Sequence, residues 1–227
     1  MNGSIALVGS GEYLPQMMQL EQSLIDDGVK NGKQLVYVQI PTAAGQESSQ
    51  RLEYWRNLGQ AQADRLGITA KFLPIFKRED AFNLDFAKAI ENSALIYMSG
   101  GDPHYLAATL INSPVWQAIY SNWNSGSSLA GCSAGAMVLS AEIPHFRLSR
   151  KEPTKGFNLL PNIRVIPHFD KFFKWIPDSA AKIMMQVSDG ITLIGIDEMT
   201  ALVKRAGQDI WQEFGTGKVR VLKGELI

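Results

Sequence analysis

The sequence predicts an α/β fold, a doubly wound and mostly parallel sheet with antiparallel hairpins at its C-terminal end. Three features carry that expectation. Short apolar runs alternate with longer amphipathic stretches along most of the chain. A Gly-x-Ser-x-Gly segment at 131–135 joins an apolar run to a helix start. The last apolar runs are separated by short glycine-bearing turns. Alternating strands and helices put helices on both faces of a parallel sheet, and closely spaced strands at the end add antiparallel pairs.

The elements follow in order. Residues 5–8 form a first strand, and 17–31 a helix with Met17, Leu20, Leu24 and Ile25 on one face. A β-branched strand at 35–40 stops at Pro41, and Leu52, Trp55, Gly59, Ala63 and Leu66 mark the next helix by their spacing. A weaker strand at 71–75 is interrupted by Pro74, and 95–98 is a buried strand ended by the Gly100-Gly101-Asp102 loop. Helices at 104–111 and 114–122 lead to a strand at 128–132. Beyond Ser133 come apolar runs at 163–167, 193–196, 201–203, 210–214 and 219–222, with turns at 206–208 and 215–217 read as hairpin connections. The stretch 140–162 reads as a long loop carrying Arg147, Arg150, Lys151 and Lys155. No repeat or linker divides the chain, so 1–227 reads as one catalytic α/β domain.

Composition narrows the function. With 22 basic and 22 acidic residues the formal net charge is zero, which argues against a nucleic-acid footprint or a polybasic membrane patch. Hydrophobic residues make up 45%, enough for a full core. A single cysteine, Cys132, rules out an internal disulfide and a cysteine-based metal site. The apolar run at 5–8 is too short for a signal peptide, and no run approaches the ~20 residues of a membrane span. A cytoplasmic protein acting on small or peptide substrates is expected, without nucleic-acid or membrane partners and with a homodimer left open. Gly9-x-Gly11 lacks the third glycine of a dinucleotide fingerprint, since position 14 is leucine. Neither a metal nor any other cofactor is expected.

The chemistry concentrates at Ser133. A strand–turn–helix with glycines on both sides forces the central residue into strained backbone and lifts its hydroxyl above the C-terminal edge of the sheet, a nucleophile elbow. The helix start beneath it offers unpaired N–H groups to a developing oxyanion. Cys132, one position earlier, is expected to point into the core. A hydroxyl nucleophile needs a base, and the chain has three histidines. His168 follows the run 163–167 at a strand end, where reactive groups of parallel sheets collect, so it is the first choice and His104 the second. Asp197 and Glu198 follow the run 193–196 and are equally placed to orient the histidine, with Asp170 a third option. The resulting Ser–His–acid order differs from the Ser–acid–His order of α/β-hydrolases.

Taken together, the segment 131–136 (Gly-Cys-Ser-Ala-Gly-Ala), the Gly100-Gly101-Asp102 loop, His168-Phe169 and the segment 195–202 (Gly-Ile-Asp-Glu-Met-Thr-Ala-Leu) resemble the peptidase E and cyanophycinase family of serine peptidases. The resemblance implies a flavodoxin-like, class I glutamine amidotransferase-like fold, and hydrolysis of an amide bond through an acyl-enzyme. It also implies Ser133 as nucleophile, His168 as base, Glu198 as orienting acid, and the Gly101 and Ala134 amides as oxyanion hole. Where cyanophycinases carry arginines after the histidine, this chain has Lys171, Lys174 and aromatic residues. Asp102, Lys171 and Lys174 are the expected substrate-binding groups, with weak discrimination for aspartyl substrates because lysine lacks the two-pronged grip of arginine.

Overall fold

The structure is a computed structural model that describes residues 1–145, 153–175, 181 and 185–226, with the side chains of 173–175 outside that description. Its main sheet contains the five parallel strands β1 (Ile5–Val8), β2 (Gln34–Ile40), β3 (Thr69–Phe72), β4 (Ser93–Met98) and β5 (Ser128–Cys132). Two antiparallel strands, β10 (Thr200–Lys204) and β11 (Trp211–Gly215), extend its edge beyond β1. The spatial order is β11-β10-β1-β5-β4-β2-β3.

The central strands are buried throughout, and successive side chains point to opposite faces, as a sheet covered on both sides requires. Leu7, Ile40, Ile96, Met98 and Leu129 belong to one core, and Ala6, Val8, Tyr37, Leu95, Tyr97, Ala130 and Cys132 to the other. Helix α1 (Met18–Lys30) covers the second face with Leu20, Leu24 and Ile25, part of the face that the spacing predicts. Helix α2 (Ser49–Leu66) packs Trp55, Leu58 and Leu66 against the same core, runs from the Ser48 cap and stops at Gly67 in the left-handed region. Helix α3 (Leu84–Ile90) buries only Ile90 among its seven residues, too thin an apolar signal to read from spacing. Helices α4 (Pro103–Leu110) and α5 (Pro114–Asn124) pack on the first face, each opening on proline behind an Asp102 or Ser113 cap. After β5 the chain turns into α6 (Ala134–Met137), a single turn of helix.

The remaining strands do not all join the main sheet. Strands β6 (Glu142–Ile143) and β7 (Thr154–Lys155) form a short ribbon inside the stretch read as loop. Strands β8 (Ile163–Ile166) and β9 (Thr192–Ile196) are parallel neighbours in a second sheet, where β12 (Val219–Lys223) pairs antiparallel with β9. The 206–208 turn lies within a true hairpin connection, because β10 and β11 pair. The 215–217 turn is different: it carries the chain from β11 in one sheet to β12 in the other. Gly215 has φ 114°, and a Cβ there would fall 2.1 Å from the Met199 carbonyl, so the crossing needs glycine. Arg147, Arg150, Lys151 and the side chain of Lys174 lie outside the described residues. No helix among the described residues is long and apolar enough to cross a membrane.

Candidate active site

The parallel register brings the ends of β1, β4 and β5 side by side: Val8 lies opposite Cys132 and Met98 opposite Gly131. The loops leaving these strands therefore meet at one edge. Ser133 occupies the sharpest of the turns, with φ 51° and ψ −109°. Such geometry costs a non-glycine residue about 1–3 kcal/mol and persists only where the surroundings impose it. They do here: the Ser133 N–H donates to the Val8 carbonyl at 2.9 Å. A Cβ on Gly131 would lie 2.3 Å from the Gly135 carbonyl oxygen, and one on Gly135 2.3 Å from that of Met98. Only glycine lets strand, helix and neighbouring strand approach this closely.

His168 comes from the second sheet. It follows β8, has φ 50° and precedes helix α7 (Phe169–Trp175). Gly195 of β9 lies against the Phe169 ring, where an added Cβ would fall 2.4 Å from Cγ. The Arg220 guanidinium covers that ring at 5.4 Å. The second sheet thus fixes the start of α7, and with it the imidazole. His168 Nε2 lies 3.2 Å from Ser133 Oγ, and Nδ1 lies 2.9 Å from Glu198 Oε1.

Glu198 sits in the turn between β9 and β10. Its N–H donates to Asp170 Oδ1 at 2.9 Å, and its second oxygen, Oε2, receives the Lys171 ammonium. Burial raises the Glu198 pKa, but the hydrogen bonds from Lys171 and His168 outweigh burial and hold it below the ordinary carboxylate value. An ionised Glu198 only accepts, so the proton on the imidazole belongs on Nδ1 and Nε2 faces the serine as acceptor. The Glu198 hydrogen bond raises the Lys171 pKa in turn.

The structure gives Asp197 and Glu198 different partners. Asp197 is buried, receives the Lys218 N–H at 3.0 Å and the Arg220 guanidinium at 2.5 Å, and so fastens β12. His104 lies elsewhere: its Nδ1 is 2.8 Å from Thr154 Oγ1, its ring stacks on His145 at 4.0 Å, and Thr154 Oγ1 also meets His145 Nε2 at 3.0 Å. Asp102 caps α4, accepting from the His104 and Tyr105 amides at 2.8 and 3.1 Å. Lys171, expected to receive substrate, has its ammonium on Glu198.

Sequence reasoning missed one residue of this edge. Glu12 is buried in the loop after β1, accepts the Gly100 N–H at 2.8 Å on Oε1 and receives the Cys132 thiol at 3.0 Å on Oε2. Burial, and then the Glu12 charge, push the Cys132 pKa well up, so the thiol stays protonated in the core. The one available signal was an acid placed directly after Gly9-x-Gly11 in an otherwise apolar strand end.

Known proteins carry the same framework. A crystal structure of a peptidase from an acI-B1 Actinobacterium superposes with TM-score 0.97 at 63% identity, covering 99% of this chain and 92% of that one. A candidate peptidase E protein from Listeria monocytogenes EGD-e shares the fold at TM-score 0.69 and 17% identity, over 96% of this chain and all of its own. The cyanophycinase of Geminocystis herdmanii is 26% identical over 165 residues, 68% of this chain and 58% of that protein, so the chain spans little more than half of that relative. The model of peptidase family S51 matches residues 5–210, most of the chain and a span that includes Ser133, His168 and Glu198. On that match the chain belongs to peptidase family S51, the family of peptidase E and the cyanophycinases.

Proposed function

We propose that this chain is a serine hydrolase that cleaves an amide bond in a small peptide or peptide-like substrate through an acyl-enzyme. The observation that carries the reading is the continuous chain from Ser133 Oγ through the His168 imidazole to Glu198, at 3.2 and 2.9 Å. His168 Nε2 takes the Ser133 hydroxyl proton as Oγ attacks the carbonyl carbon, and the carbonyl π pair moves onto oxygen. The tetrahedral intermediate collapses as His168 returns the proton to the departing amine. A water, deprotonated by the same nitrogen, then attacks the ester and frees the acid and Ser133. Glu198 keeps the imidazole in the required tautomer and stabilises its charged form.

The Gly101 and Ala134 amides stabilise the oxyanion. Gly101 lies between two committed amides, Gly100 on Glu12 and Asp102 on the Ala43 carbonyl at 2.8 Å. Ala134 is the first residue of α6, where an amide has no acceptor within the helix. Aligned donors of this kind are each worth about 10²–10³ in rate. With the Lys171 charge on Glu198, an acidic side chain loses one expected partner, so the substrate reading carries no requirement for an aspartyl residue.

The test is labelling with a fluorophosphonate probe. Wild type and Cys132→Ala should label and turn over, while Ser133→Ala should do neither and lose about 10⁵–10⁶ in kcat if the three residues act as a unit. An unlabelled, inactive wild type would favour a binding protein on the same fold. Turnover of esters or non-peptide amides alone would move the substrate class and leave the chemistry.

A further inference from the structure

We propose that Glu12 is a positioning residue of the oxyanion site: its buried carboxylate holds the Gly100 amide on one oxygen and the Cys132 thiol on the other, fixing the Gly100–Gly101 peptide against the serine turn. The proposal rests on the hydrolase reading above. Three sets of contacts support it.

The first is proximity. A Cβ added to Gly100 would fall 2.7 Å from Glu12 Oε1, 3.2 Å from Ser133 Cβ and 3.7 Å from Ser133 Oγ. The carboxylate and the serine therefore flank the same backbone atom, and a residue larger than glycine has no room between them. Gly101 itself has φ 139°, and a Cβ there would lie 2.3 Å from the Ala43 carbonyl oxygen. Glycine at both positions leaves this peptide soft unless something outside the loop orients it.

The second is the pair of hydrogen bonds that brackets the peptide. Upstream, the Gly100 N–H is fixed by Glu12 at 2.8 Å, and downstream the Asp102 N–H is fixed by the Ala43 carbonyl at 2.8 Å. With both flanking peptides held, the two ends of the Gly100–Gly101 peptide are anchored, which narrows the orientations open to the Gly101 N–H. Because Oε2 of the same carboxylate receives Cys132, the residue before Ser133, the orientation is referred directly to the serine turn.

The third is the way Glu12 is itself held. Gly9 donates to the Thr200 carbonyl at 2.9 Å. Tyr13, with φ 63°, donates its N–H to Glu21 Oε1 at 3.3 Å and accepts Arg65 on its carbonyl at 2.8 Å. Gln62 donates to the Leu14 carbonyl at 3.2 Å. A carboxylate between such anchored neighbours is a rigid strut, as a positioning group must be.

Reach and charge can be separated by substitution. Glu12→Gln keeps an oxygen at full reach for the Gly100 amide and presents its NH₂ to the Cys132 sulfur, a weak acceptor. Glu12→Asp keeps the charge but is one methylene shorter. The readouts are kcat and KM for p-nitrophenyl acetate and the Ki of phenylboronic acid, whose tetrahedral serine adduct places an oxygen at the oxyanion position. Glu12→Gln should stay within a few-fold of wild type. Glu12→Asp should lose on the order of 10² in kcat and a comparable factor in boronate affinity, with KM within about twofold, because a misplaced donor fails in the tetrahedral state. Glu12→Ala should resemble Glu12→Asp in these parameters, whatever its thermal stability. Equal kinetics for Asp and Gln, or a damaged Gln beside an intact Asp, would overturn the proposal. If wild type neither turns over the ester nor binds the boronate, the hydrolase reading itself fails, a different result from any of these.

Discussion

Lys171 places its ammonium on Oε2 of Glu198, the oxygen that His168 leaves open, while its own backbone N–H donates to the His168 carbonyl at 2.9 Å. One lysine on the first turn of α7 therefore touches both the proposed base and the proposed orienting acid. Its charge helps to keep Glu198 ionised, and an ionised carboxylate is what the Nδ1–H tautomer requires.

Lys171→Met should raise the Glu198 pKa toward its ordinary value. The acid limb of the kcat/KM profile should then move to higher pH, with a loss of about tenfold or less at neutral pH, because Lys171 acts through another residue. A profile that superposes on wild type would remove Lys171 from the proton chain.

Glu198→Gln and Asp197→Asn should differ in kind. The amide at 198 offers an NH₂ where an acceptor is needed and should cost about 10³–10⁴ in kcat with little change in melting temperature. The amide at 197 weakens the contact with Arg220 that fastens β12 and should cost about 1–3 kcal/mol in stability with kcat largely kept. Chemical denaturation and initial rates on both variants check the pair.

Glu21 should make the protein less stable in mild alkali. Burial pushes its pKa up to about 7 from 4.5, partly offset by hydrogen bonds from Tyr37, Gln62 and the Tyr13 amide. The folded state therefore holds a proton that the unfolded chain has lost. The associated stability is fully present below about pH 4.5, falls as pH rises through 7 and is gone above it. Between pH 5 and 8 this amounts to about 2–3 kcal/mol. Glu21→Gln should remove that slope, which urea titrations at the two pH values would reveal as a difference between variant and wild type.

Substrate choice should be permissive. For a matched pair of amides, one aspartyl and one neutral, kcat/KM is expected to differ by about tenfold or less, since Lys171 is engaged by Glu198. A preference of 10² or more for the aspartyl amide would show that another cation receives it.

Much of this protein is legible in its sequence because much of it is local. The strand at 5–8, the apolar face of α1 and the glycines around Ser133 are set by periodicity and by backbone sterics within a few residues. His168 was reachable by scarcity and by its place after a strand. The sequence could not say that β8 and β9 leave the main sheet, since an apolar run reads the same in either sheet and pairing is chosen by long-range packing.

Nor could spacing separate Asp197 from Glu198, a choice that only the family resemblance made. Adjacent residues in a turn point in different directions, and only the crossing of β12 onto β9 sends one to Arg220 and the other to His168. Glu12 and Lys171 are the same case: their carboxylate and ammonium acquire meaning from Gly100, Cys132 and Glu198, which lie 88, 120 and 27 residues away along the chain. The sequence by itself determined most of the longer elements and the strained serine turn, because sterics and periodicity act over short spans. The tertiary structure alone decided the partners of each charge, because those depend on which strand ends the register brings to one edge.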